Sequence, residues 1–141
     1  MATDRAALPY RHVLTLPTMP SAVRVARETA EQVLDEWSIS RRHPAVAPAL
    51  LILSELVTNA VRHAAVASPQ VTVIYAADDG TFAFGVHDRH PYQPALYGAA
   101  TGTEGGGLAT VVELTLGLAG TAVVRGDADG GGKSIWITLP L

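Results

Sequence analysis

The stretch LILSELVTNAVRHA, residues 51–64, places one carboxylate, Glu55, and one amide, Asn59, in an otherwise apolar run. Glu55 is the single charged residue between Ala45 and Val61. A spacing of four is about one helical turn, so Glu55 and Asn59 share a face, with Arg62 and His63 one turn further on. At about 100° per residue, Leu50, Leu53, Val57, Ala60, Val61 and Ala64 form an apolar stripe, and Glu55, Asn59, Arg62 and His63 fall opposite it within an arc of roughly 100°. Such a polar stripe is either a solvated face or the wall of a pocket. Ile52 and Leu56 flank it, which suits the pocket wall. Buried polar groups need partners, and a ligand or a metal would supply them.

A second carboxylate, Asp88, ends the run TFAFGVHD (81–88). It is either the first residue of a turn or an acceptor on a pocket floor. In the second role a carboxylate takes a hydrogen bond from the exocyclic amine of adenine and repels the carbonyl that guanine carries at that ring position. The third feature is TGTEGGGLATVVEL (101–114), where Gly102, Gly105, Gly106 and Gly107 stand at a helix entrance. Bare backbone there lets N–H groups approach an anion, and the helix dipole favours it. It is either such a cradle or an ordinary flexible loop. GGGKS (130–134) has a superficial likeness to a phosphate-binding loop, but it precedes a strand rather than a helix, so that reading is rejected.

These residues need elements to hold them. HVLTL (12–16) alternates and reads as a strand, after a loose arm over 1–11. Ser21 is the expected N-cap of a helix over 22–37, with Ala22, Ala26, Thr29, Val33 and Trp37 on one face. Pro44 and Pro48 bracket the start of the next helix, which runs to about Ala65. QVTVIYAA (70–77) and TFAFGVHD (81–88) form a hairpin around Asp78, Asp79 and Gly80. Residues 89–104, with Pro91, Pro94, Gly98 and Gly102, read as a long functional loop. A helix over 105–119 follows, and GTAVVRG (120–126) and KSIWITLPL (133–141) close the chain as a second hairpin. The order β-α-α-β-β-loop-α-β-β predicts an α+β two-layer sandwich, with helices on one face of the sheet.

The chain has 141 residues, 48% hydrophobic and 16% charged, which fits a single domain over 1–141 with a real core. The net charge of −3 and the isoelectric point of about 5.9 leave no basic stripe for nucleic acid. Cysteine is absent, so disulfides and thiolate metal sites are excluded. The longest apolar run, ALLIL (49–53), is too short to span a membrane, and the N-terminus has no apolar leader; a cytoplasmic protein is expected.

Taken together, the segments resemble the GHKL superfamily of ATP-binding domains, which have the Bergerat fold. The branch they look most like is the anti-sigma factor serine/threonine kinase group of actinobacteria and bacilli. SELVTNAVRHA resembles the N-box, VHDRHPYQP the G1 box, EGGGLATVVEL the G2 box, and GGKSIWITLPL the terminal strand. The resemblance covers roughly residues 12–141. It implies that Asn59 coordinates Mg²⁺ bridging the ATP phosphates and that Glu55 is the general base on a substrate hydroxyl. It places Arg62 and His63 near phosphate and ribose or adenine, and Asp88 on adenine. Gly105 and Gly107, with the N–H of Leu108, would cradle phosphates. Ser134 would support the Asp88–adenine contact, with Lys133 as the alternative one residue earlier.

The implied activity is phosphorylation of a serine or threonine on an anti-anti-sigma partner of the STAS fold, with capture of a sigma factor, and members of the group commonly form dimers. The implied alternative is a non-catalytic module of the same fold that acts by partner capture. A histidine-kinase catalytic piece fits less well, because such domains usually carry Asn or His where Glu55 stands. Two departures from the pattern are visible. Arg89, His90 and Pro91 follow Asp88 where glycines are usual, and Gly106 stands where the G2 box often has Arg. No Lys or Arg occurs between Arg89 and Arg125.

Overall fold

The sheet has two unlike faces, and one of them carries the main core. A computed structural model describes residues 8–91 and 106–141. Its elements are β1 (Tyr10–Pro17), α1 (Ser21–Glu36), α2 (Val46–Ala64), β2 (Gln70–Asp78), β3 (Thr81–Asp88), α3 (Gly106–Gly117), β4 (Thr121–Gly126) and β5 (Lys133–Pro140). The five strands form one antiparallel sheet in the order β1-β2-β3-β5-β4. The expected α+β sandwich is therefore observed, and each predicted element is present.

Val71, Val73, Tyr75 and Ala77 of β2, Phe82, Phe84 and Val86 of β3, and Ile135, Ile137 and Leu139 of β5 all belong to one buried cluster with the helices. The register sets Tyr75 beside Phe84, Phe84 beside Ile137, and Val86 beside Ile135, so these side chains stack in rows across the sheet. The opposite face holds a smaller cluster of Leu8, Ala76 and Ala83. On that face Gly85 lies under Trp136: a Cβ at Gly85 would sit 2.6 Å from the indole ring, so a larger residue there would displace the indole.

α2 is the middle helix and packs against both α1 and α3. Its buried residues are Val46, Ala49, Ile52, Leu53, Leu56, Val57, Ala60 and Ala64. The stripe is thus rotated from the expected one. Leu50 and Val61 are only partly buried, whereas Ile52 and Leu56 are fully inside. α1 packs through Ala22, Ala26, Ala30, Val33 and Leu34. The small alanines bring it close enough for the Tyr75 hydroxyl to donate to the Ala26 carbonyl at 2.6 Å. Burial raises the pKa of that phenol.

Ser21 is not the N-cap of α1. Pro20 occupies that position in helical conformation, Ser21 is the first helical residue, and no side chain caps the helix end. The preceding TMP turn supplies the entry instead, through Ala22 N–H to the Met19 carbonyl at 2.9 Å. None of the helices among the described residues is long and apolar enough to cross a membrane.

Candidate functional site

Asp88 is the last residue of β3, and the register pairs it with Lys133, the first residue of β5. Paired residues of an antiparallel ladder project to the same face, here the helix-covered one that also holds Val86 and Ile135. Lys133 Nζ donates to Asp88 Oδ1 at 2.8 Å and Oδ2 at 3.1 Å, and to the His90 carbonyl at 3.3 Å. The His90 N–H adds a second bond to Oδ1 at 2.9 Å. The two side chains are only 8% and 6% exposed. Burying either charge alone is costly, and each is the other's compensation.

Ser134 lies one residue along β5 and pairs with His87 and Arg125. It projects to the opposite face from Asp88. Of the two residues expected to support Asp88, the structure joins Lys133 to it and not Ser134. The reason is register: a shift of one residue on a strand changes the face.

The end of β3 is fixed from two more directions. Ser68, fully buried just after α2, donates to the Gln70 carbonyl at 2.6 Å and accepts from the Arg89 N–H at 2.9 Å. The Arg89 guanidinium reaches across to the β4–β5 turn, where it donates to Asp127 and Asp129. His87 Nε2 also contacts Asp127, at 2.9 Å. The hydrogen bond from His87 and the Arg89 charge hold the Asp127 carboxyl below the usual carboxylate range. Asp129 is held below it by Arg89 and by the Gly131 N–H. Both carboxylates push the Arg89 pKa up, Asp129 more strongly. Gly132 lets this turn close on β3, since a Cβ there would lie 2.6 Å from the Asp88 carbonyl oxygen. Sequence reasoning missed this network. Its signal was the charge pattern itself: Asp127 and Asp129 in one turn, with Arg89 directly after a strand-terminal aspartate.

The α2 stripe is different in kind. Glu55 and Asn59 are half-buried, and Arg62 and His63 are exposed. None of the four makes a hydrogen bond or ion pair among the described residues, whereas Ser54 beside them is satisfied by the Leu50 carbonyl at 2.9 Å. Leu108 is buried in the first turns of α3, and Gly107 lies within that helix. Gly105 and the greater part of the 89–104 loop lie outside the described residues.

The sequence from residue 16 to residue 138 matches the family of histidine kinase-like ATPase domains. This chain belongs to that family, whose ATPase domain implies nucleotide binding. Among solved structures it is similar to the RsbU and RsbW domains of Rv1364c from Mycobacterium tuberculosis, with a TM-score of 0.63 and 25% identity over 93% of this chain and 33% of that one. The histidine kinase AdeS of Acinetobacter baumannii has a TM-score of 0.56 and 18% identity over 92% of this chain and 67% of that one. The histidine kinase domain of the blue-light activated Erythrobacter litoralis EL346 enzyme has a TM-score of 0.50 and 22% identity over 69% and 45%. The two kinases share the fold. The chain spans only 33% and 45% of the Mycobacterium and Erythrobacter chains. No curated protein matches the sequence.

The residues fit a nucleotide with its cation. Among the described residues no cluster of three or more His, Asp or Glu side chains is able to hold a metal. Asn59 offers one amide oxygen. Mg²⁺ keeps most of its octahedron as water and phosphate, so one protein oxygen beside a bound triphosphate is a sufficient protein share. Glu55 and Asn59, half-buried and without a partner among the described residues, are what such a ligand would satisfy.

Proposed function

We propose that this protein is an ATP-binding anti-sigma regulator that captures a sigma factor and phosphorylates a serine or threonine on a STAS-type anti-anti-sigma partner. The observation that carries the reading is the pair Glu55 and Asn59, one turn apart on α2, half-buried and without a partner among the described residues. The likeness to the RsbU and RsbW domains of Rv1364c supports the branch. This reading puts the protein in the cytoplasm, as a possible homodimer, without direct contact to nucleic acid or membrane.

Bound Mg²⁺–ATP supplies the phosphoryl group. Asn59 would hold the cation, and Arg62 and His63, further along the same face, would approach phosphate and ribose or adenine. The N–H groups of Gly107 and Leu108 stand in the first turn of α3, where its dipole favours phosphate, and the same reading gives Gly105 a share in that cradle. Glu55 accepts the proton that a poorly acidic hydroxyl loses as it attacks.

One observation favours a second reading, partner capture without transfer. Phosphoryl transfer relies on cations at the γ-phosphate. Lys133 is committed to Asp88 and Arg89 to Asp127 and Asp129, and no Lys or Arg lies between residues 89 and 125.

The test is ATP affinity beside radiolabel transfer to a candidate STAS partner. For a kinase, Glu55→Gln leaves affinity within a few-fold and lowers transfer by roughly 10²–10⁴. Asn59→Ala weakens Mg²⁺-dependent binding itself. A wild-type protein that binds its partner tightly and transfers nothing decides for the capture module.

A further inference from the structure

A lone carboxylate reads purines one way. It accepts from the exocyclic amine of adenine and opposes the carbonyl oxygen of guanine, since both would be acceptors. Asp88 is not alone. Lys133 Nζ bridges both of its oxygens, at 2.8 and 3.1 Å. The third ammonium proton points to the His90 carbonyl, through the longest of the three contacts at 3.3 Å. Asp88 Oδ1 already has two donors, Lys133 and the His90 N–H, whereas Oδ2 has one and keeps a lone pair open. A base that reaches this pair would meet an acceptor with a donor directly beside it, at a net charge close to zero.

That pair of groups matches either purine. Adenine presents its amine next to the N1 acceptor: the amine donates to Asp88 Oδ2 while Lys133 gives up the His90 carbonyl for N1. Guanine presents its carbonyl next to an N1–H donor: Lys133 donates to the carbonyl while Asp88 Oδ2 accepts from N1–H. The repulsion that would exclude guanine from a bare carboxylate is cancelled by the adjacent ammonium. Resting on the reading of Asp88 as the base contact, we propose that Lys133 is a specificity-determining residue that relaxes base selection, so that the site takes guanosine as well as adenosine triphosphates. Sequence reasoning expected the opposite, because it read Asp88 as an acceptor for the adenine amine, supported by Ser134 or, alternatively, Lys133.

The experiment is calorimetric titration of the full chain with ATP and with GTP, each with Mg²⁺. It uses wild type, Lys133→Thr and Lys133→Met, with thermal melts to confirm folding. Wild type should bind both nucleotides with dissociation constants within about fivefold of each other. A folded variant should weaken for both nucleotides but more for GTP, whose carbonyl then faces Asp88 uncompensated, moving the ratio by about tenfold or more toward ATP. Wild type that prefers ATP by more than about thirtyfold overturns the proposal and leaves nucleotide binding intact. Should both variants unfold, the wild-type ratio alone decides. If wild type binds neither nucleotide, both the base-contact reading and this inference fall.

Discussion

At the junction of β3 and β5 the buried charges are partnered: Asp88 holds Lys133 and the His90 N–H, Lys133 is shared among three oxygens, and Ser68 and Arg89 are tied on either side. On α2, about one turn apart, Glu55 and Asn59 sit half-buried with no partner among the described residues. The first region is held by the fold and the second is held by nothing but its helix. A satisfied network positions a group, and unsatisfied groups on a rigid helix wait for a ligand to complete them. The contrast separates groups that the fold already satisfies from groups that it leaves open.

The sharpest way to break the contrast is to remove one member of each region and compare stabilities. Asp88→Ala leaves the Lys133 charge buried without its partner, which should cost about 3–5 kcal/mol in urea unfolding. A loss below about 1 kcal/mol would mean that water replaces the carboxylate and that the junction is open. Next in size is Gly132→Ala. Its Cβ would meet the Asp88 carbonyl oxygen at 2.6 Å and Arg89 Cα at 3.0 Å. Both neighbours are backbone, so the turn must move, and about 1–3 kcal/mol should be lost in the same assay.

The α2 stripe should behave in the opposite sense. Glu55→Gln and Asn59→Ala, each taken alone, should change unfolding free energy by no more than about 0.5 kcal/mol without nucleotide. A larger loss in either would assign that residue to the scaffold. The smallest effect sharpens the boundary of the satisfied region and is read in acid. Asp127 and Asp129 have carboxyl pKa values lowered in the folded state. Their contribution is present above the ordinary carboxylate pKa and is lost as pH falls through the lowered values, below about pH 4. Melting temperature measured from neutral pH into that window should fall less steeply for Asp127→Asn with Asp129→Asn than for wild type. Equal slopes would show that the Arg89 contacts carry no linkage.

The stripe was legible in the sequence because a helix repeats within a few residues. Glu55 and Asn59 announce their shared face by spacing alone, although the apolar face was set off by Leu50 and Val61, which are only partly buried. The hairpins were legible for the same local reason, since Asp78, Asp79 and Gly80 mark the β2–β3 turn and Gly80 N–H bonds to Asp78 Oδ1. The junction was not. Asp88 and Lys133 lie 45 positions apart, and which residue of Lys133–Ser134 faces Asp88 depends on strand register, which no local pattern states. Arg89 read as a departure from a glycine-rich loop because its partners, Asp127 and Asp129, belong to a turn that only the assembled sheet brings near it. The N-cap was misread because Ser21 has the right chemistry, while Pro20 already carries the helical backbone.

The strand order also sets the sequence of events by which the junction comes into being. β2 and β3 close over residues 79–80, and β4 and β5 over residues 127–132, both short loops with little entropy to lose. The β3–β5 pairing must instead close the whole segment between Asp88 and Lys133, and such long-range closure is the slow part of forming a sheet. The Asp88–Lys133 contact closes that segment at its shortest span, 45 positions, so it forms with the slow step. In a chevron plot, Asp88→Ala should lower the folding arm; a folding arm left in place beside a raised unfolding arm would put the clasp after the barrier. The speed of reaching the native state, as well as its persistence, is then what this buried pair sets.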